Sequence, residues 1–373
     1  MMDRRGFIKK TVAAGLLLGG GAVSGGCRAL TRDDLPLPAT TGRRIPMLDE
    51  TAATILHLAS LAPSGHNSQP WRVRLEGPRT WMIEADGARR LPAVDPDNRE
   101  LLLSMGAFIE NLSLAAGAMG LGVDLDVAAG SSHDPAIARV NLTREPSTGY
   151  PLQRLRSRRT VKRGMLAREI TAADVAFLGR QTGGRLVYFP KDSTHAACVR
   201  DAAVENYRIQ AGRDDAQREL VDWLRLDNRD AARYRDGLTP AGMEITGLKG
   251  WFVRHFVDPG DFLKPSYRRQ GVDLMAELAR QGGGWMVIVS PGETVADLTD
   301  TGRRFQRMAL RARERRIAIH PMTQVLEESH GLTQIEAHHG GNLSPQFVLR
   351  VGYLDGYPDP VSLRRPVEWF VYA

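Results

Sequence analysis

Two stretches of this 373-residue chain concentrate side chains that could do chemistry. The first is Ala62-Pro63-Ser64-Gly65-His66-Asn67-Ser68-Gln69-Pro70-Trp71. Pro63 ends the preceding helical pattern, and a tight polar loop presents Ser64, Gly65, Asn67 and Gln69 before Trp71. Carboxamides both donate and accept, so the loop suits a ligand edge carrying both kinds of group. The alternative is a turn whose polar residues only satisfy backbone groups. The second stretch is Arg158-Arg159-Thr160-Val161-Lys162. Two guanidiniums, a hydroxyl and an ammonium so close together suit a phosphate monoester, each charged contact contributing ~1.5–3 kcal/mol. A solvated basic stretch is the alternative.

Other chemistries lack their residues. Only Cys27 and Cys198 are present, which excludes a disulfide framework and any cysteine-based zinc or iron–sulfur site. His338-His339 with Glu336 has no i,i+4 histidine pair, so no metal is expected. The Gly-x-Gly-x-x-Gly, Gly-Lys-Ser/Thr and Gly-x-Ser-x-Gly patterns are missing from the sequence.

The elements that must position these residues follow from periodicity. Asp49 opens a helix to about 61, with Ala52, Ile55, Leu56 and Ala59 at helical spacing. Strands are expected at 71–76 and 81–85 around Gly77-Pro78. Asp97-Asn98-Arg99-Glu100 reads as a capping box opening a helix to about 120, apolar nearly all round and therefore buried. Further along, Thr171 starts a helix, 195–236 and 296–316 read as helical, and 285–289 and 347–353 as strands. Gly106, Ile109, Leu112, Leu114, Ala116, Leu121 and Val123 fall at a constant offset on Gly302, Phe305, Met308, Leu310, Ala312, Ile317 and Ile319, which suggests a duplication.

A 42% hydrophobic composition is enough for a sizeable core, and no apolar run beyond the N-terminus is long enough for a polytopic membrane protein. Residues 1–26 carry a net +3 of the total +7. The remaining excess is spread along the chain, with no basic block of nucleic-acid type.

The loop at 62–71 resembles the Ala-Pro-Ser-x-x-Asn-x-Gln-Pro-Trp loop of the nitroreductase-like FMN flavoproteins, and 158–162 resembles the Arg-Arg-Ser-x-Arg/Lys segment that opens such a domain. Ile319-His320-Pro321-Met322-Thr323-Gln324 resembles the segment passing the reactive flavin edge, and Arg364-Arg365-Pro366 the C-terminal phosphate-side arginine. The resemblance implies an α+β nitroreductase-like fold and FMN as cofactor. It assigns cofactor binding to Ser64, Gly65, Asn67, Gln69, Arg158, Arg159, Thr160, Lys162, Thr323, Gln324, Arg364 and Arg365. No protein residue is assigned a catalytic role, because flavin N5 does the chemistry. The implied activity is hydride or electron transfer to a small aromatic, nitro or quinone-like acceptor. A flavin-sequestering protein without turnover, or a chain that has lost flavin, are the alternatives.

Members of this family usually pair two subunits around each flavin. Here the Pro-Ser loop lies in the first half and the Arg-Arg-Thr segment opens the second, as in the Acg-like fused branch. The expected layout is a single-chain pseudo-dimer with halves at 49–150 and 151–373, an insertion at 213–284 rich in loops and covering the one complete site, and one FMN per chain. The degenerate site would fall to Arg43-Arg44-Ile45.

Residues 3–10 are charged, 11–26 are apolar and glycine-rich, and Cys27 follows, the pattern of a signal peptide. Arg4-Arg5-x-Phe7-Ile8-Lys9 resembles a twin-arginine export signal, and Ser24-Gly25-Gly26-Cys27 a loose lipobox with Ser24 where leucine is usual. Export through the twin-arginine machinery to the periplasm is expected, either free or as a lipoprotein anchored through Cys27, with residues 28–48 as a tether.

Overall fold

The structure, a computed structural model, describes residues 28–35, 45–339 and 344–373. The expected signal peptide, Cys27 and Arg43-Arg44 lie outside the described residues. The fold is α+β. Strands β1 (Trp71–Leu75), β2 (Thr80–Ala85), β3 (Leu121–Val127) and β4 (Ala136–Arg144) form one sheet with the C-terminal β9 (Val371–Tyr372), in the order β3-β4-β2-β1-β9. Strands β5 (Leu186–Pro190), β6 (Gly284–Val289), β7 (Ile317–Pro321) and β8 (Pro345–Tyr353) form the second, in the order β5-β6-β8-β7. Within each sheet two strands, a long helix and two more strands follow the same path. Pairing is antiparallel except for β9 beside β1, where Val371 faces Val73.

The helices are α1 (Glu50–Ala59), α2 (Arg99–Ala118), α3 (Gln153–Ser157), α4 (Ala172–Gln181), α5 (Thr194–Gly212), α6 (Asp214–Asp222), α7 (Asn228–Tyr234), α8 (Gly247–Phe256), α9 (Pro265–Ala279), α10 (Val295–Ala312), α11 (Gln324–Glu327) and α12 (Ser329–His339). Two long helices, α2 and α10, pack against each other and cross at Gly106 and Gly302. A Cβ on Gly106 would stand 2.0 Å from the Thr299 carbonyl oxygen, and one on Gly302 2.1 Å from that of Leu103. The crossing therefore requires glycine on both helices, at two positions the constant offset superposes. Around it the buried Glu110 accepts from Arg303 Nε at 3.0 Å and Arg307 Nε at 2.6 Å, and Gln306 donates to Asn111 at 2.7 Å. One apolar core joins both sheets to these helices, with Trp71 stacked on Phe108 and Phe305 on Phe347.

Three local expectations are corrected. The cap of α2 is Asp95, whose carboxylate accepts from the Glu100 and Leu101 amides at 3.0 and 2.9 Å; Asn98 turns the chain in the left-handed region instead. The helical span at 195–236 is three helices, because Arg213 takes an extended ψ and Asp227 caps a new start. The insertion at 213–284 is mostly helical, with its own small core of Leu224, Leu226, Val253 and Val257. Residues 28–35, within the expected tether, lie against the body: Arg32 donates to the Arg156 carbonyl at 2.6 Å and the Leu30 amide to Asn228 at 3.1 Å.

Candidate functional site

Between the two halves lies a cavity of about 330 Å³, within the range of small-ligand and cofactor sites. The loop at 63–67 forms one wall. Its tight course needs left-handed backbone at His66, Asn67 and Gln69, a conformation asparagine tolerates well. Ser64 Oγ accepts from the Gln69 amide at 2.9 Å and closes the turn. The Asn67 carboxamide faces the cavity wall but is already engaged: it donates to the carbonyls of Gly237 (3.2 Å) and Leu363 (3.3 Å) and accepts from Arg364 Nη1 (2.8 Å). Gln69 does not line the cavity. It is fully buried, donates to the Arg235 carbonyl at 2.9 Å and accepts from the Arg365 amide at 2.9 Å.

The basic stretch enters from the second half as extended chain, and extended chain alternates its faces. Arg158, Thr160 and Lys162 line the cavity. Val161 turns away into an apolar cluster with Met165, Ala318 and Leu354. Arg159 also turns away: it pairs with Glu244 at 3.2 Å and donates to the Asp359 carbonyl at 2.5 Å. The C-terminal pair divides likewise. Arg364 lines the cavity, whereas Arg365 is buried against the Gln69 and Trp71 carbonyls at 2.6 and 2.9 Å. Arg159, Gln69 and Arg365 are thus held by protein groups outside the cavity that the other nine candidates share.

Buried cations crowd together at this end. Burial, and then Arg32, pull the Arg158 guanidinium down to about 10. Arg364 is held well below the usual arginine range by burial and then by Arg158 and Arg32. His57, on α1, falls to about 4 through burial and the neighbouring Arg32, Arg156 and Arg364. Neither Arg158 nor Arg364 has a carboxylate partner among the described residues; the terminal nitrogens of Arg364 donate to Asn67 and to the Leu61, Ala62 and Leu363 carbonyls, neutral acceptors only, and the buried Nε of each arginine finds no acceptor. Crowded cations that raise one another's cost call for a negative ligand, and a phosphate supplies both charge and acceptors. Residues and cavity therefore fit a phosphate-bearing cofactor such as FMN.

The far wall carries residues that motif reading missed. His320, on β7, accepts at Nδ1 from Arg350 Nη2 at 3.1 Å. A guanidinium can only donate, so His320 is neutral with its hydrogen on Nε2; burial, followed by Arg350 and Lys162, holds it well below the usual histidine range. Arg350 is itself fully buried and also donates to the carbonyls of Lys162 (2.5 Å) and Gln281 (3.1 Å). Thr323 and Gln324 lie beside His320 at the start of α11, and Gln324 donates to the Ala203 carbonyl at 3.4 Å. Glu100 from α2 and Glu327 from α11 complete this wall with Tyr207 and Gln210. Above it Leu238 and Gly242 of the insertion close the cavity. The insertion is tied to the rest of the chain by Asp236, paired with Arg89 at 2.8 Å, and Arg225 of the insertion itself supports Asp236 at 3.0 Å.

The chain is similar to several known proteins. A protein of Mycobacterium tuberculosis provisionally named as an NAD(P)H nitroreductase is 41% identical over 71 residues, 19% of this chain and 20% of that protein. A Serratia protein with a similarly provisional NAD(P)H nitroreductase name, PigM, is 36% identical over 66 residues, 17% of this chain and 18% of its own. These matches span about a fifth of the relatives' length. An uncharacterized M. tuberculosis protein is 26% identical over 336 residues, 83% of this chain and 90% of its own. No protein-family model matches the chain. The chain carries a nitroreductase-like region. In general terms this supports a nitroreductase-like oxidoreductase.

Proposed function

We propose that the protein is an FMN-dependent oxidoreductase of nitroreductase type, passing hydride or electrons to a small aromatic, nitro or quinone-like acceptor. The observation that carries this is the meeting of Arg158 and Arg364, cations without carboxylate partners among the described residues, and the Thr160 hydroxyl with the Pro-Ser loop and Thr323-Gln324 in one cavity. Bound FMN would supply the hydride and electron transfer. Arg158, Thr160 and Arg364 would hold its phosphate, and Asn67 would fix Arg364 for that contact through their 2.8 Å hydrogen bond. Lys162 and the His320 Nε2–H offer donors toward the ring, where negative charge is best tolerated. Phe305, Phe347, Leu103 and Ala107 provide an apolar lining that limits water.

We further infer a fused pseudo-dimer with halves at 49–150 and 151–373 and one FMN per chain. The matching strand orders and the paired glycines of the helix crossing support this layout. Export by the twin-arginine route to the periplasm, with lipid on Cys27 as the anchored variant, is proposed from the N-terminal sequence. The covering insertion favours a second reading, flavin sequestration without turnover. The purified protein should show flavin absorbance near one FMN per chain, and steady-state assays with NAD(P)H and artificial donors separate turnover from storage. A colourless protein that cannot be loaded with FMN would remove both readings.

A further inference from the structure

Residues 28–30 run onto the outer surface of the insertion. Asn228, at the start of α7, holds their backbone twice: its carboxamide donates to the Arg28 carbonyl at 3.2 Å and accepts from the Leu30 amide at 3.1 Å. Cys27, the proposed lipid attachment, is the residue before Arg28. A lipid there therefore starts at the face that α7 belongs to. In this surface helix only Ala231 is buried. Both of its ends are fixed. Asp227 caps the first turn by accepting from the Asp230 amide at 2.8 Å, and left-handed Arg235 closes the last by donating its amide to the Ala231 carbonyl at 3.1 Å. The Arg235 carbonyl is in turn held by Gln69 at 2.9 Å. At about 1.5 Å per residue, Tyr234 stands ~9 Å along the helix from Asn228.

Two aromatic side chains project at that end, Tyr234 at 39% exposure and Trp369, just before β9, at 47%. Each has guanidiniums over its ring. Arg225 and Arg233 stand 4.6 and 5.1 Å from the centre of Tyr234, and Arg235 stands 5.9 Å from that of Trp369. Arg235 adjoins Tyr234 in the chain and so joins the two rings into one patch. Tyrosine and tryptophan beside arginine suit a membrane–water interface: the rings enter at headgroup level while the guanidiniums remain in contact with phosphates. The charge of the face balances. Arg28 pairs with Asp34 and Arg225 with Asp236, Arg229 and Arg233 are offset by Asp227 and Asp230, and Arg235 by Glu368. A nucleic acid or an acidic protein would gain little there, whereas a zwitterionic bilayer needs no net charge on its partner.

We propose that residues 28–30, α7 and Trp369 form a face that docks on a phospholipid bilayer, with Tyr234 and Trp369 entering it beside the lipid on Cys27. The inference rests on the anchored-lipoprotein reading above and goes beyond it, because a lipid tethers the chain whereas this face fixes which side of the molecule meets the membrane. The insertion that covers the cavity would then be the membrane-facing part.

The test uses the exported full chain, reconstituted into phosphatidylcholine vesicles with brominated acyl chains, which quench tryptophan on contact. Trp71, Trp81 and Trp285 are buried, and Trp369 alone of the six tryptophans is among the exposed large side chains. Brominated vesicles should lower the tryptophan emission relative to unbrominated ones, and the difference should vanish in Trp369→Phe. Tyr234→Ser should reduce it by about twofold or more with the lipid still attached. Because the face carries no net charge, ~1 M salt should leave the quenching unchanged. Both substitutions are at exposed side chains, so urea unfolding should match the wild type. Mass spectrometry of the N-terminal peptide reports the lipid separately. A lipidated, vesicle-bound protein with no quenching, or with equal quenching in Trp369→Phe, would overturn the docking face and leave the anchor standing. A Cys27 without lipid would overturn the anchored reading, and this inference with it. A dimer of Cys27→Ser in which Trp369 is shielded from acrylamide, without vesicles, would assign the face to a second copy and overturn the bilayer.

Discussion

The division of the basic stretch into alternating faces gives the sharpest test. Arg158 and Arg159 are neighbours of identical chemistry, yet one lines the cavity and the other pairs with Glu244. Replacing Arg158 by alanine removes a cation that has no carboxylate partner, and it relieves repulsion with Arg32 and Arg364. The fold should lose nothing, while a phosphate loses a charge-assisted contact of ~1.5–3 kcal/mol. FMN affinity should therefore fall about 10–100-fold, with riboflavin, which carries no phosphate, nearly unaffected. Arg159→Ala does the reverse. It leaves the Glu244 carboxylate, 10% exposed, with only the Lys162 amide and should cost stability of ~1–3 kcal/mol. FMN and riboflavin should then weaken together, if at all. Fluorescence titration of both ligands with both variants, alongside urea unfolding, reads all four quantities. Equal losses for the two ligands in Arg158→Ala, or a phosphate-selective loss in Arg159→Ala, would refute the assignment.

Gly106→Ala and Gly302→Ala each drive a methyl into backbone across the helix crossing and should destabilise by ~1–3 kcal/mol or more in urea unfolding, with Gly117→Ala as the milder control against the Thr148 side chain. His57 sits near 4 folded against 6.5 unfolded, so the unfolded chain takes up its proton first as pH falls. Its contribution to stability is intact above 6.5 and declines down to about 4. Comparing His57→Gln with wild type isolates this from the raised Asp95 and Glu327, which act in the opposite sense. Replacing Arg4 and Arg5 by lysine should retain the protein in the cytoplasm by cell fractionation, and Cys27→Ser should release it from the membrane fraction if lipid anchors it.

Much of the scaffold was legible because its causes are local. Asp49 does cap α1, accepting from the Ala52 amide at 2.7 Å, and the strands around Gly77-Pro78 fall within a residue or so of where alternation places them. The apolar helix at 99–118 is central because a helix apolar on all sides must be covered on all sides. What failed depended on a single backbone angle or on distant partners. With Asn98 left-handed, the α2 cap is Asp95, two residues upstream of the expected Asp97, and an extended ψ at Arg213 with the Asp227 cap divided one helical pattern into three. The return of the C-terminal β9 to pair with β1 joins segments far apart in the sequence, and no local pattern in a two-residue strand could announce it.

The candidate site divides along the same line. Motif spacing brought out the loop, the basic stretch and the C-terminal arginines, but a motif does not say which of two adjacent arginines faces a ligand. Period-two alternation does, once the stretch is treated as extended: 158, 160 and 162 share a face, and the apolar Val161 between them marks the buried one. Arg159 then follows Val161 away from the cavity. The same rule separates Arg364 from Arg365. Glu100, His320, Glu327 and Arg350, which no motif assigned to the site, are single polar side chains on helices or strands, and His66 is a loop residue between motif positions left unassigned. Their meaning comes from what stands opposite. Arg350 on β8 faces His320 on β7 across a sheet register, and Glu100 and Glu327 line one cavity from α2 and α11. Buried polar groups of this kind persist only when a partner answers them. His66 Nδ1, Arg158 Nε and Arg364 Nε have no such answer from the described protein, and all three belong to residues lining one cavity. Arg159 Nε and Arg365 Nε are equally unanswered outside the cavity, so the deficit supports a ligand site only together with the cavity that His66, Arg158 and Arg364 share.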